Sequence, residues 1–143
     1  CKFIGMPNVP AISFSAIILS VLLFNSCKKV EGEGGSSSIV GRVMVDNYNA
    51  GGSILEGSYV GADEDVYIIY GDGNTYYNDK ISTSYDGTFE FKYLTNGKYT
   101  IYVYEDVLPE PTNADNKRAI ILSTEITKKK SNIDLGDITI MRK

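Results

Sequence analysis

From Ile39 onward, apolar and polar residues alternate with a period of two, and no stretch sustains the 3.6-residue repeat of an amphipathic helix. Seven short runs carry the alternation: Ile39–Asp46, Asp65–Tyr70, Thr75–Ser84, Thr88–Tyr93, Lys98–Glu105, Arg118–Thr127 and Ile133–Met141. Between the second and third lies Gly71-Asp72-Gly73-Asn74, whose residues tolerate positive φ and mark a hairpin turn. Asp86-Gly87 and Asn96-Gly97 punctuate the later runs in the same way. The pattern predicts an all-β chain of seven strands, for which a β-sandwich is the natural architecture. Two connections, Asn47–Gly61 and Asp106–Lys117, are long for hairpins and are expected to cross between sheets or form end loops.

Alternation also assigns faces. In the stretch TFEFKYL, Phe89, Phe91 and Tyr93 share one side and Thr88, Glu90 and Lys92 the other, with Leu94 expected to turn into the core at the strand end. In KYTIYVYE, Tyr99, Ile101 and Val103 share a side, which leaves Tyr102 and Tyr104 outward. If Val66, Ile68 and Tyr70 face inward, Tyr67 and Ile69 face out.

The region before Ile39 is different in kind. Residues 11–24, AISFSAIILSVLLF, are uncharged and mostly apolar. They are too few for a comfortable bilayer span, which takes about 20 residues. They fit the apolar stretch of a secretory signal, roughly 7–15 residues. The run ends Leu23-Phe24-Asn25-Ser26-Cys27-Lys28-Lys29, which resembles the lipobox of bacterial lipoproteins: apolar residues, a small residue, then cysteine. The resemblance implies a signal peptide over 1–26 and acylation of Cys27. Two or more acyl chains would hold stably where one binds marginally. Val30–Ser38, VEGEGGSSS, has tether composition, so residues 27–38 read as lipidated cysteine plus flexible linker and 39–143 as the folded domain. Lys28 stands where some lipoproteins carry an inner-membrane retention signal, so the resemblance implies the outer membrane, on either its periplasmic or its cell-surface side. Cleavage would remove Cys1 and consume Cys27, leaving a core held by burial without a disulfide.

Composition narrows the chemistry. The 143 residues contain 14 basic and 18 acidic side chains. A net charge of −4 argues against nucleic acid, which needs a concentrated basic patch. The dense basic run Lys128-Lys129-Lys130 sits between two alternating stretches and reads as a solvated turn. Histidine is absent, and with it Ser-His and Cys-His dyads and His metal ligands.

A series of residues then carries a family resemblance: Gly41-Arg42-Val43, Gly61-Ala62 with Val66-Tyr67-Ile68, Thr83 with Asp86-Gly87-Thr88-Phe89-Glu90-Phe91, Leu94, Gly97-Lys98-Tyr99-Thr100-Ile101, and Asp134-Leu135-Gly136. It resembles the carboxypeptidase regulatory-like domain, of the wider transthyretin-like and collagen-binding B-type group, over about residues 39–141. The resemblance implies a seven-stranded Greek-key β-sandwich of transthyretin-like (prealbumin-like) topology and a mostly non-catalytic accessory role. It also implies that the strands of Asp65–Tyr70 and Lys98–Glu105 share a sheet. Tyr67, Tyr102 and Tyr104 would then form an exposed patch suited to protein or glycan contact. The plainer reading of the same residues is cross-strand stabilisation on a solvated face.

Other candidates are weaker. Asp63-Glu64-Asp65 and Asp72 offer oxygens for calcium but lack the D-x-D-x-D-G spacing, and Asp72-Gly73-Asn74 reads as turn chemistry. An intramolecular isopeptide bond, found in some relatives, meets Arg42 where its lysine would lie. Hydroxyisourate hydrolysis on this fold relies on histidines and a Tyr-Arg-Gly-Ser ending, and neither is present. The expectation is therefore a non-enzymatic, lipid-anchored envelope protein with no cofactor or metal. It would bind a protein partner, or alternatively a glycan, or serve as a structural, fimbria-like spacer.

Overall fold

A computed structural model describes residues 30–107 and 116–143. It is all-β, with no helix among the described residues. Eight strands form two sheets: β1 Glu33–Tyr48, β2 Leu55–Val60, β3 Asp65–Tyr70, β4 Asp79–Ser82, β5 Thr88–Leu94, β6 Gly97–Asp106, β7 Lys117–Ile126 and β8 Asn132–Arg142.

The first sheet is organised around β1. Its N-terminal part pairs antiparallel with β5, its C-terminal part antiparallel with β2, and its other edge parallel with β8 from Ser38 to Asn47. The second sheet is antiparallel throughout, in the order β4-β3-β6-β7. The facing sides share one core. Ile39, Val43, Val45, Phe89, Phe91, Leu94, Ile138 and Ile140 come from the first sheet, and Val66, Ile68, Tyr99, Ile101, Val103 and Ile126 from the second. Burying an aliphatic or Phe side chain of this kind contributes about 1.5–3 kcal/mol relative to exposure, so the alternation is the main determinant of which face turns in.

Four features differ from the sequence expectation. First, β2 falls inside the segment read as a loop, making eight strands where seven were predicted. All its residues are exposed, so no burial pressure imposes an alternating pattern on LEGSYV. Asn49 makes the hairpin before it: its Oδ1 accepts from the amides of Ser53 and Ile54 at 3.0 and 3.2 Å. Second, β4 is shorter than Thr75–Ser84. Its upstream residues bend instead, with Asn78 Oδ1 accepting from Tyr70 N at 2.8 Å and Asn74 Nδ2 donating to Tyr70 O at 3.1 Å.

Third, Tyr93 is exposed, not core, with φ of 60°. Ser37 opposes Leu94 while Ile39 opposes Phe91, so β5 carries one residue more than β1 between these pairs. The bulge turns Tyr93 outward and drops Leu94 into the core, where it is 1% exposed. Fourth, β1 takes in Glu33–Ser38, part of the segment whose composition marks a tether. Gly35 lies so close to β5 that a Cβ there would come within 1.9 Å of the Leu94 carbonyl oxygen. Glycine here permits close backbone approach.

Candidate functional site

The tyrosines singled out from the sequence are brought together on the outer face of the second sheet. Val66, Ile68, Tyr99, Ile101 and Val103 fill the inner face, so the intervening residues of β3 and β6 face out. Register then sets their neighbours. Tyr67 stands opposite Lys80 on β4 and Tyr102 on β6, and Tyr102 opposite Ile121 on β7. Lys80, Tyr67, Tyr102 and Ile121 thus form a row across all four strands.

Within the row, the Tyr67 and Tyr102 rings stack, with centroids 4.9 Å apart and planes 7° from parallel. Lys80 Nζ lies over the Tyr67 ring at 5.9 Å from its centroid, reaching it from the opposite neighbouring strand. Tyr104 meets Tyr67 and Tyr102 edge-on at 5.7 and 5.6 Å. Tyr77, from the bend before β4, meets Tyr67 edge-on at 5.0 Å. Such pairs add about 0.5–1.5 kcal/mol each beyond area burial. Tyr67 and Tyr102 are half-buried by this packing, whereas Tyr77 and Tyr104 are 51% and 40% exposed.

The packing limits what the cluster can do. The Tyr67 ring stacks on Tyr102 of β6, and Lys80 Nζ lies over it from β4. The stack takes one face of each ring out of reach of a ligand. Burial pushes the Tyr67 phenol up from its ordinary pKa, with the Asp65 charge adding to it. Burial also raises Tyr102, reinforced by Tyr104. Both stay neutral at physiological pH and can donate or accept a hydrogen bond. Asp65 is held below the usual carboxylate range, chiefly by the hydrogen bond from Lys80 Nζ at 3.0 Å, which more than offsets the cost of desolvation; Ser82 Oγ donates to it at 3.3 Å.

Beside the cluster, a groove of about 300 Å³ is lined by Asp63, Glu64, Asp65, Tyr67, Tyr104, Lys117 and Arg142. Arg142 NH2 donates to Glu64 Oε2 at 2.5 Å and NH1 donates to the Tyr104 carbonyl at 3.0 Å. Three of the four acids of the calcium candidate are engaged with cations: Glu64 with Arg142, Asp65 with Lys80, and Asp72 with Lys98 at 2.7 Å. No group of three or more His, Cys, Asp or Glu side chains placed to hold a metal occurs among the described residues. Arg42 forms a two-pronged pair with Asp137 of β8, at 2.9 and 2.8 Å, on the wall of a larger groove of about 460 Å³ on the first sheet. Cys27 and the apolar run before it lie outside the described residues.

No family model matches the chain, and no curated protein sequence matches it. Solved structures similar to it at low identity include two of note. One is a 9R-lipoxygenase from Cyanothece PCC8801, at 14% identity and a TM-score of 0.38 over 90% of this chain. The chain spans 22% of that lipoxygenase's length. The other is a Pseudomonas aeruginosa protein provisionally described as carbohydrate-binding, at 15% identity and a TM-score of 0.39, covering 96% of this chain and 100% of that one. At TM-scores this low neither likeness carries weight for fold or activity.

Sequence reasoning did not find Tyr77, Lys80 or Ile121 as parts of the surface. Lys80 was missed because a tight turn over Gly71–Asn74 would set Asn78 opposite Tyr67, and the bend before β4 shifts the pairing by two residues. Tyr77 reaches the cluster from an irregular bend, where no period applies.

Proposed function

We propose that this chain is a lipid-anchored envelope protein whose domain is a non-catalytic binding module, with the face around Tyr67, Tyr102 and Tyr104 docking a protein partner. One observation carries the reading: the tyrosines form a single outward cluster, half-buried against one another, beside a charged groove. Rigid aromatic edges with neutral hydroxyls and a rim of both charge signs are the ingredients of a protein-binding patch. The stack leaves less open ring face for a sugar than separate rings would, which favours a protein partner. The domain would belong to the transthyretin-like sandwiches with a Greek-key topology. In support, β1 lies at the centre of one sheet, and the chain switches sheets between β5 and β6. The absence of histidine throughout the sequence and the engagement of Glu64 and Asp65 in the groove by cations support a non-enzymatic role. The apolar run 11–24 and the sequence around Cys27 support the anchor and an outer-membrane address.

The test is the double variant Tyr67→Ser with Tyr102→Ser, made in the full chain and used to capture partners from detergent-solubilised membranes. The expected result is loss of a partner retained by wild type and by Tyr93→Ser, a change at an exposed tyrosine outside the cluster. Undiminished capture by the double variant overturns the reading. Retention of the protein partner's binding with loss of a glycan on an array moves the assignment to carbohydrate.

A further inference from the structure

The chain enters the fold beside its densest basic turn. The Val30 carbonyl accepts from Thr95 Oγ1 at 2.9 Å, and the Gly32 carbonyl accepts from Thr95 N at 2.8 Å. The neighbouring residue in the same turn, Asn96, donates through Nδ2 to the carbonyl of Thr127 at 2.9 Å. The lysine turn follows directly. Ser37 Oγ donates to the Lys128 carbonyl at 3.2 Å, and Lys130 N donates to Ser36 Oγ at 3.2 Å. Residues 30–37, the turn after β5 and Lys128–Lys130 therefore make up one end of the domain. A groove of about 460 Å³ opens there, bounded by Gly34, Ser36, Thr95 and Asn96, with Lys129 on its wall.

We propose that this end docks against an anionic phospholipid surface through Lys128, Lys129 and Lys130. The proposal rests on the reading that Cys27 carries lipid. All three lysines are exposed, and none is in an ion pair among the described residues. Only Lys28 and Lys29 lie between Cys27 and Val30. Extended chain spans at most about 3.6 Å per residue, so Val30 stays within roughly 10 Å of the acylated residue. The tether therefore holds this end of the domain near the surface, whose potential falls off over about 8 Å at physiological salt.

Charge makes the orientation directional. The acids at this end are Glu31, Glu33, Asp72 and Glu125, and Asp72 is engaged by Lys98, which also faces Glu125. Lys128–Lys130 set three exposed positive charges together on one turn, none of them in an ion pair among the described residues.

The test uses the full chain purified in detergent and reconstituted into phosphatidylcholine vesicles with or without phosphatidylglycerol. Amine labelling read residue by residue compares Lys128–Lys130 with Lys117 and Lys143 at the far end. Each lysine near an anionic surface is worth about fivefold in binding. The expected result is therefore labelling of the turn reduced by about fivefold or more in the anionic vesicles only, and restored by high salt. Equal labelling in the two lipids overturns the proposal, as does protection that salt leaves unchanged. Intact mass reports acylation of Cys27 separately. If Cys27 is unmodified the anchor reading falls, and the same labelling comparison on the chain mixed with vesicles still decides docking.

Discussion

Tyr93 shows how much one residue can depart from the pattern around it. Strand parity groups it with Phe89 and Phe91, yet it is 70% exposed at φ of 60° while the next residue, Leu94, is buried. A non-glycine residue in the left-handed region costs about 1–2 kcal/mol. No burial of the ring compensates, since the side chain is mostly in solvent. Tyr93→Gly is therefore expected to raise stability by about 1 kcal/mol, seen as a higher urea midpoint with an unchanged m-value. A lower midpoint would mean that the ring makes a contribution its exposure conceals. Parity was otherwise a good guide: Tyr99 is 1% exposed and Tyr104 is 40% exposed, as alternation along β6 requires. It failed where a bulge added a residue, and a bulge leaves no periodic trace in a run this short.

At the scale of elements, the first turns of β1 were the least legible part of the fold. Glu33–Ser38 has the composition of a linker, and the same glycines that make a linker flexible also let two backbones approach. Tyr99 decides between these outcomes. Its buried hydroxyl accepts from Gly32 N at 3.0 Å and donates to the Thr95 carbonyl at 2.8 Å, fastening the start of the strand to the turn after β5. Tyr99→Phe removes these bonds and leaves the Gly32 amide and a carbonyl unpaired, at a cost of about 1–3 kcal/mol. Amide exchange at Gly32 and Gly35 is expected to quicken more than exchange at Ile101 in the middle of β6. Uniform quickening would mean that the hydroxyl stabilises the whole domain and does not specifically seat this segment. β2 was illegible for a different reason: with every residue exposed, nothing in its sequence had to alternate.

For the molecule as a whole, the all-β class, the core and the outward position of Tyr67, Tyr102 and Tyr104 were readable from alternation, because burial against the facing sheet enforces it. The stacked geometry of the rings was not, since it depends on the register between β3 and β6, which alternation along single strands leaves open. The parallel pairing of β1 with β8 was equally hidden, and it has a mechanical meaning. Val30 lies at one end of the domain and Lys143 near the other, so a load between them pulls the two strands past each other along their length. Their ladder from Ser38 to Asn47 must then yield in shear, with many hydrogen bonds sharing the force. Between Asp65 and Ser82, which face each other across β3 and β4, the same load opens bonds one at a time. Single-molecule extension should find a clearly higher rupture force for the first geometry, and equal forces would remove the distinction. A domain gripped at Val30 and Lys143 is thus loaded in shear and not peeled.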